Sequence, residues 1–94
     1  SIIDSYVETA TSLMRELKQA LAENDVETAT RAAHSLKSSS ANVGAMKLSG
    51  LCAEMENHGR SQDLASAREI FDTAASEFET AAKELVKHKM EIAA

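Results

Sequence analysis

Apolar residues recur along this chain at steps of three and four, the spacing that lines one face of an α-helix. Ile3, Tyr6, Ala10, Leu13, Leu17 and Leu21 form such a face and predict a first helix over about 2–22. Asn24 and Asp25 interrupt it, and Asp25 is a good N-cap for the next helix. That second helix, about 26–43, turns Val26, Ala29, Ala33, Leu36, Ser40 and Val43 inward. Gly44 comes next, placed to end it in a left-handed conformation. A third, about 45–58, buries Leu48, Leu51, Cys52 and Met55, with Gly59 read as its terminator and Asp63 as the cap of the fourth. The fourth, about 64–91, repeats Leu64, Phe71, Phe78, Leu85 and Ile92 every seven residues, with Ala67, Ala74 and Ala81 between them.

A heptad can signal a dimeric coiled coil. With three other amphipathic helices available, the better reading packs this seam internally. Short connections favour antiparallel neighbours, so the expected fold is all-α: an antiparallel up-down-up-down four-helix bundle, one domain over 1–94. Composition agrees. Hydrophobic residues make up 44% of the chain but aromatics only 3%, so the core must be built of aliphatic residues and alanine. There is no proline to break a helix, and three glycines leave few tight turns.

The net charge of −5 argues against nucleic acid as a partner, because phosphate neutralisation needs a basic face. No apolar run approaches the roughly 18 residues of a membrane span, and no direct membrane contact is expected. A single cysteine, Cys52, fits a reducing cytoplasm, and its place on the apolar stripe makes it a packed thiol. His58 and His88 form no metal-ligand spacing with His34, and no metal site is expected. No phosphate-cradling glycine loop occurs, so no activity from ATP is expected. The charged outer face of the last helix, with Arg68, Glu69, Glu77, Glu79, Lys83, Glu84 and Lys87, reads as solvated.

The candidate chemistry lies in "AAHSLKSSSANVGA", residues 32–45. At 100° per residue His34 falls outside the inner face of the second helix and should be exposed. Thr30 and Arg31 lie one turn before it, Lys37 and Ser38 one turn after, and Ala41 beyond. Ser38 leaves room for a group attached to His34 and for an approaching surface. Ser40 faces inward, where its hydroxyl can bond back to the Leu36 carbonyl. Spacing alone leaves a second reading open: a solvated histidine with no role.

The longer stretch "AAHSLKSSSANVGAMKLSGLCAEME" resembles the signature of the histidine-containing phosphotransfer domain of multistep phosphorelays. His34, Leu36, Lys37, Ser39, Ser40, Gly44, Leu48, Leu51, Cys52 and Glu56 match its pattern. Met55 stands where Leu is common, and Ser38 where Gly is common. The motif covers about a quarter of the chain, and the four expected helices extend the likeness over nearly all of it.

The resemblance implies that His34 accepts a phosphoryl group at Nε2 from a receiver-domain aspartate and passes it to another. It implies that Lys37 lies beside the phosphoryl oxygens. Glu56 either holds Nδ1–H and fixes the tautomer or is an ordinary exposed helix position. Arg60 would help at the docking surface with Ser38 and Ala41, and helical geometry adds Arg31 as a weaker candidate. Partners would be response-regulator receiver domains, and the magnesium ion of the reaction would sit in the receiver, leaving this chain without a cofactor.

The expected state is a cytoplasmic monomer; the start at Ser1 rather than Met favours a domain excised from the C-terminal part of a membrane-bound hybrid sensor kinase over a free-standing phosphotransfer protein, and both readings stay open. A non-catalytic interaction module is the main alternative. The phosphorylation hairpin of a sensor kinase fits less well: Ser35 comes directly after the histidine where an acidic residue is usual, and the chain has no proline.

Overall fold

Three turns of one design divide the chain into four helices. The computed structural model describes the backbone of residues 1–93 and the side chains of residues 1–91. Its helices are α1 (Ile2–Ala22), α2 (Val26–Asn42), α3 (Met46–Arg60) and α4 (Leu64–Ala93). Each of the first three ends in a residue with positive φ: Asn24 at 57°, Gly44 at 82° and Gln62 at 60°. The next amide reaches back over the helix end in each case, Asp25 to the Ala20 carbonyl, Ala45 to Ser40 and Asp63 to His58, at 2.8–2.9 Å. This is the Schellman arrangement, which satisfies carbonyls that the helix leaves open.

Asp25 and Asp63 then start the helices after them. The Asp25 carboxylate accepts from the Thr28 amide at 3.1 Å and its hydroxyl at 2.7 Å. Asp63 does the same for Ser66, at 3.1 and 2.5 Å.

Turns this short force antiparallel neighbours, and each helix packs on the next around a closed ring, α4 returning to α1. The predicted up-down-up-down bundle is the observed one. α4 is 30 residues long, which at about 1.5 Å per residue spans the full 46 Å of the molecule. The core takes Leu17, Leu36, Leu48 and Met55 as its large members, with alanines between them. On α4, Ala67 and Ala74 are the deeply buried positions. Phe71, Phe78 and Leu85 of the heptad are half-buried against the same core, while the Ile92 side chain lies outside the described residues.

Three expectations need correction. Gly59 does not terminate α3; the helix runs on to Arg60 and the left-handed residue is Gln62. Gly59 is buried, and a Cβ there would run into the Thr30 hydroxyl and stand 3.2 Å from Thr30 Cβ. Its role is close approach of α3 to α2. Ser40 does not bond back to Leu36: its Oγ shares a 2.8 Å buried hydrogen bond with the Tyr6 hydroxyl on α1. The back-bonding serine is Ser39, which donates to the Ser35 carbonyl at 2.9 Å. Finally, two members of the solvated face of α4 have partners. Arg68 donates to the Leu21 carbonyl at 2.6 Å and Asn24 Oδ1 at 3.1 Å, and Glu77 pairs with Lys47 at 3.5 Å.

Gly59→Ala is expected to lower stability by roughly 1–3 kcal/mol, the usual cost of forcing a methyl into a filled contact. Urea unfolding of this variant alone and combined with Thr30→Gly checks the cause. The second change must return part of the loss, because it removes the side chain that the methyl meets.

Candidate functional site

The close approach at Gly59 and one further bond hold α3 against the outer side of α2. Ser49 Oγ on α3 donates to the Lys37 carbonyl at 2.9 Å. Between these two fixed points Glu56 faces α2. Its position reflects helical spacing, since Leu48, Cys52 and Glu56 succeed one another at steps of four and all three are buried.

A carboxylate removed from water is costly unless charge and hydrogen bonds replace the lost hydration. Glu56, only 3% exposed along its side chain, has three such partners. His34 Nδ1 stands 2.8 Å from its Oε2. Lys37 Nζ donates to Oε1 at 2.7 Å. Arg60 donates to Oε2 from Nη2 at 2.6 Å and from Nε at 3.2 Å. Burial pushes the Glu56 carboxyl up, but the bonds from Lys37, Arg60 and His34 outweigh it and bring the group down to about 2. Glu56 is therefore ionised at neutral pH, and an ionised carboxylate only accepts. The proton between it and His34 must then sit on Nδ1. In the neutral ring this leaves the lone pair on Nε2. The His34 side chain is 53% exposed, so the ring is held from within and open from without.

Lys37 and Arg60 flank the ring from two helices and make a local positive spot on an acidic domain. A groove of about 390 Å³ runs beside it, with Thr30, Arg31 and His34 on one wall and Gly59, Arg60 and Gln62 on the other. Arg31 is tied to Glu27 at 3.2 Å. Ser38 and Ala41 are exposed further along α2. A side chain of glycine or serine size at position 38 keeps the approach to His34 low.

His34, Lys37, Glu56 and Arg60 thus come together, and Arg31 shares their groove. Glu56 is a buried hub, so the alternative of an ordinary exposed helix position is set aside. Ser49, Thr30 and Gly59 hold the two helices in register, a role that sequence reasoning missed. A small residue at 59, one step of α3 before Arg60, was the available signal. Cys52 is buried, and its thiol is pushed up to about 12 by that burial, which leaves it inert at neutral pH. Among the described residues no group of three or more His, Cys, Asp or Glu side chains is placed to hold a metal ion, and no helix is long and apolar enough to cross a membrane.

This geometry has known counterparts. The family model for the Hpt domain matches residues 1–88. The crystal structure of histidine-containing phosphotransfer protein B (HptB) from Pseudomonas aeruginosa PAO1 superposes with a TM-score of 0.92 at 28% identity, covering 96% of this chain and 78% of that one. No curated protein sequence matches significantly. With its signature histidine exposed on a four-helix bundle of this shape, the chain belongs to the Hpt domain family, and its role is histidine phosphotransfer in a phosphorelay.

Proposed function

We propose that His34 is the residue that carries the phosphoryl group, taking it from the aspartyl phosphate of a response-regulator receiver domain and giving it to the aspartate of another. The observation that supports this reading is the 2.8 Å contact between His34 Nδ1 and the buried Glu56 carboxylate. It leaves Nε2 as the nucleophile of a half-exposed ring. Phosphoryl transfer asks for alignment and charge neutralisation more than for covalent help from the protein. Lys37, whose ammonium is held by Glu56 Oε1 at 2.7 Å, supplies a positive charge one turn from the ring. Arg60 and Arg31 would meet the acidic pocket of a receiver, and complementary charge speeds such encounters. Ser38 and Ala41 give that surface room to approach. We assign the magnesium ion of the reaction to the receiver's carboxylates, and the reaction itself to the cytoplasm.

The test is incubation with a phosphorylated receiver domain and magnesium, and then mass mapping of the acid-labile product. Label on His34 supports the assignment. If every receiver of the source organism fails to load it, a module that binds without transfer takes its place.

Two variants probe the surroundings. Lys37→Ala is expected to slow transfer roughly tenfold, the worth of one charge-assisted hydrogen bond at the transition state. The helix should be undisturbed, since alanine is the better helix former. Stopped-flow or quench-flow transfer rates, read beside the circular dichroism spectrum, check both halves. Ser38→Phe should block transfer by occupying the approach to His34, with stability unchanged at this exposed position. A transfer rate equal to wild type would show that the surface needs no small residue there.

A further inference from the structure

The carboxylate beneath His34 does more than choose a tautomer of the resting ring. We propose that Glu56 is a positioning residue that keeps the proton on Nδ1 after phosphorylation, so that the loaded ring is a phosphoimidazolium poised to give its phosphoryl group away. The proposal rests on the assignment of His34 as acceptor and concerns the state of the ring once it is loaded.

Oε2 lies 2.8 Å from Nδ1 and has only lone pairs to offer. Attack by Nε2 forms the N–P bond and breaks the O–P bond of the aspartyl phosphate, whose electron pair leaves with the aspartate carboxylate. The ring is then cationic. In water such a ring can lose Nδ1–H and become neutral. Here that loss would set the lone pair of Nδ1 against those of the buried Oε2 at hydrogen-bond distance in a part-buried contact.

The groups that face the ring favour the same outcome. From α3 come Glu56 and Arg60, and from α2 come Lys37 and Arg31, the last already paired with Glu27. With a doubly charged phosphoryl group on Nε2, the charges of Lys37, Arg60 and the protonated ring balance those of the phosphoryl group and Glu56. Stripping the proton would leave an unbalanced negative charge around a buried carboxylate.

The consequence is chemical. When the next acceptor attacks phosphorus, the N–P electron pair returns to Nε2 and the leaving group is a neutral imidazole with its proton already on Nδ1. No proton need be supplied in either direction. Were the ring unprotonated, the leaving group would be an imidazolate. A glutamine at position 56 removes this constraint, because its amide can turn an N–H toward an unprotonated Nδ1.

The experiment uses the chain by itself. His34 is loaded with phosphoramidate, the donor is removed, and loss of phosphate to water is tracked from about pH 6 to about pH 9. The wild-type rate is expected to stay nearly flat. In Glu56→Gln the loaded ring is free to lose Nδ1–H, and the rate is expected to fall as pH rises, by roughly tenfold per pH unit once the ring is deprotonated. A structural effect of the substitution would change the rate but not its slope against pH. Nitrogen-15 NMR of the loaded wild type gives a second readout that needs no variant: Nδ1 should be protonated at about pH 8. Parallel profiles for the two proteins, or an unprotonated Nδ1 in the loaded wild type, overturn the proposal and leave His34 as acceptor. Absence of label on wild-type His34 overturns both.

Discussion

His34→Gln is expected to take acid-labile phosphate down to background while the protein stays folded. The ring contributes little to packing, since half of its side chain faces solvent. Removing it leaves the buried Glu56 with Lys37 and Arg60 as partners, and the glutamine amide can still donate to Oε2. The fold therefore loses one hydrogen bond at most, about 1 kcal/mol. The chemistry loses its proposed nucleophile. His58 is half-buried in the last turn of α3 and His88 is exposed on α4. Neither is bonded to a carboxylate among the described residues, so neither has its second nitrogen prepared for attack. Mass mapping after incubation with a phosphorylated receiver checks the outcome, with thermal unfolding to verify the fold. Label persisting at His58 or His88 would show that exposure alone suffices and that the carboxylate is incidental.

How legible this molecule was in its sequence differs from residue to residue, and the differences have physical causes. Helix existence was plain, because packing four amphipathic stripes leaves a 3.6-residue period in the chain. Two of the three turns were plain as well, since Asp25 and Gly44 are residues whose chemistry suits those positions. The third misled. Glycine serves both helix termination and close helix contact, and Gly59 serves the second while Gln62 accepts the strained backbone. Only the position of Thr30 across the interface separates the two uses.

Contacts between distant segments leave no local trace. Tyr6 and Ser40 are 34 residues apart, so the inward serine was recognised but its partner was not. Arg68 looked like one more charge on an outer face until the end of α1 was brought beside it. His34 could be placed outside the inner face by angle alone. Glu56 was different again. The sequence reading left it open between a partner of His34 and an exposed helix position; its step of four from Cys52, which puts an acid on the buried stripe, was the unused signal of a conflict between type and place that functional sites often keep.

That conflict has a thermodynamic signature, and it is the second large effect expected. Acidification should cost the wild type stability that Glu56→Gln does not have to lose. The Glu56 carboxyl lies at about 2 in the folded chain against 4.5 for the ordinary group. Between those values the unfolded chain binds a proton that the folded chain refuses, so stability falls as pH falls. The contribution of Glu56 is complete above about pH 5 and is lost progressively as pH drops through the folded value. At about 1.4 kcal/mol per unit the full span is at most about 3 kcal/mol, and less where Lys37 and Arg60 reach solvent. Protonated glutamic acid and glutamine have nearly the same shape and polarity. The variant should therefore be less stable than wild type at pH 7 by up to that amount, and the gap should close toward pH 2. Asp4, Asp25 and Asp63 are also held below the usual carboxylate range, by hydrogen bonds from Lys89, Thr28 and Ser66 respectively. They lower the acid stability of both proteins equally and cancel in the comparison. Urea midpoints for the pair at several pH values measure the gap. A gap that stays constant from pH 7 to pH 2 would mean that Lys37, Arg60 and the His34 N–H do not stabilise the ionised carboxylate, and that Glu56 holds α2 and α3 together by shape alone.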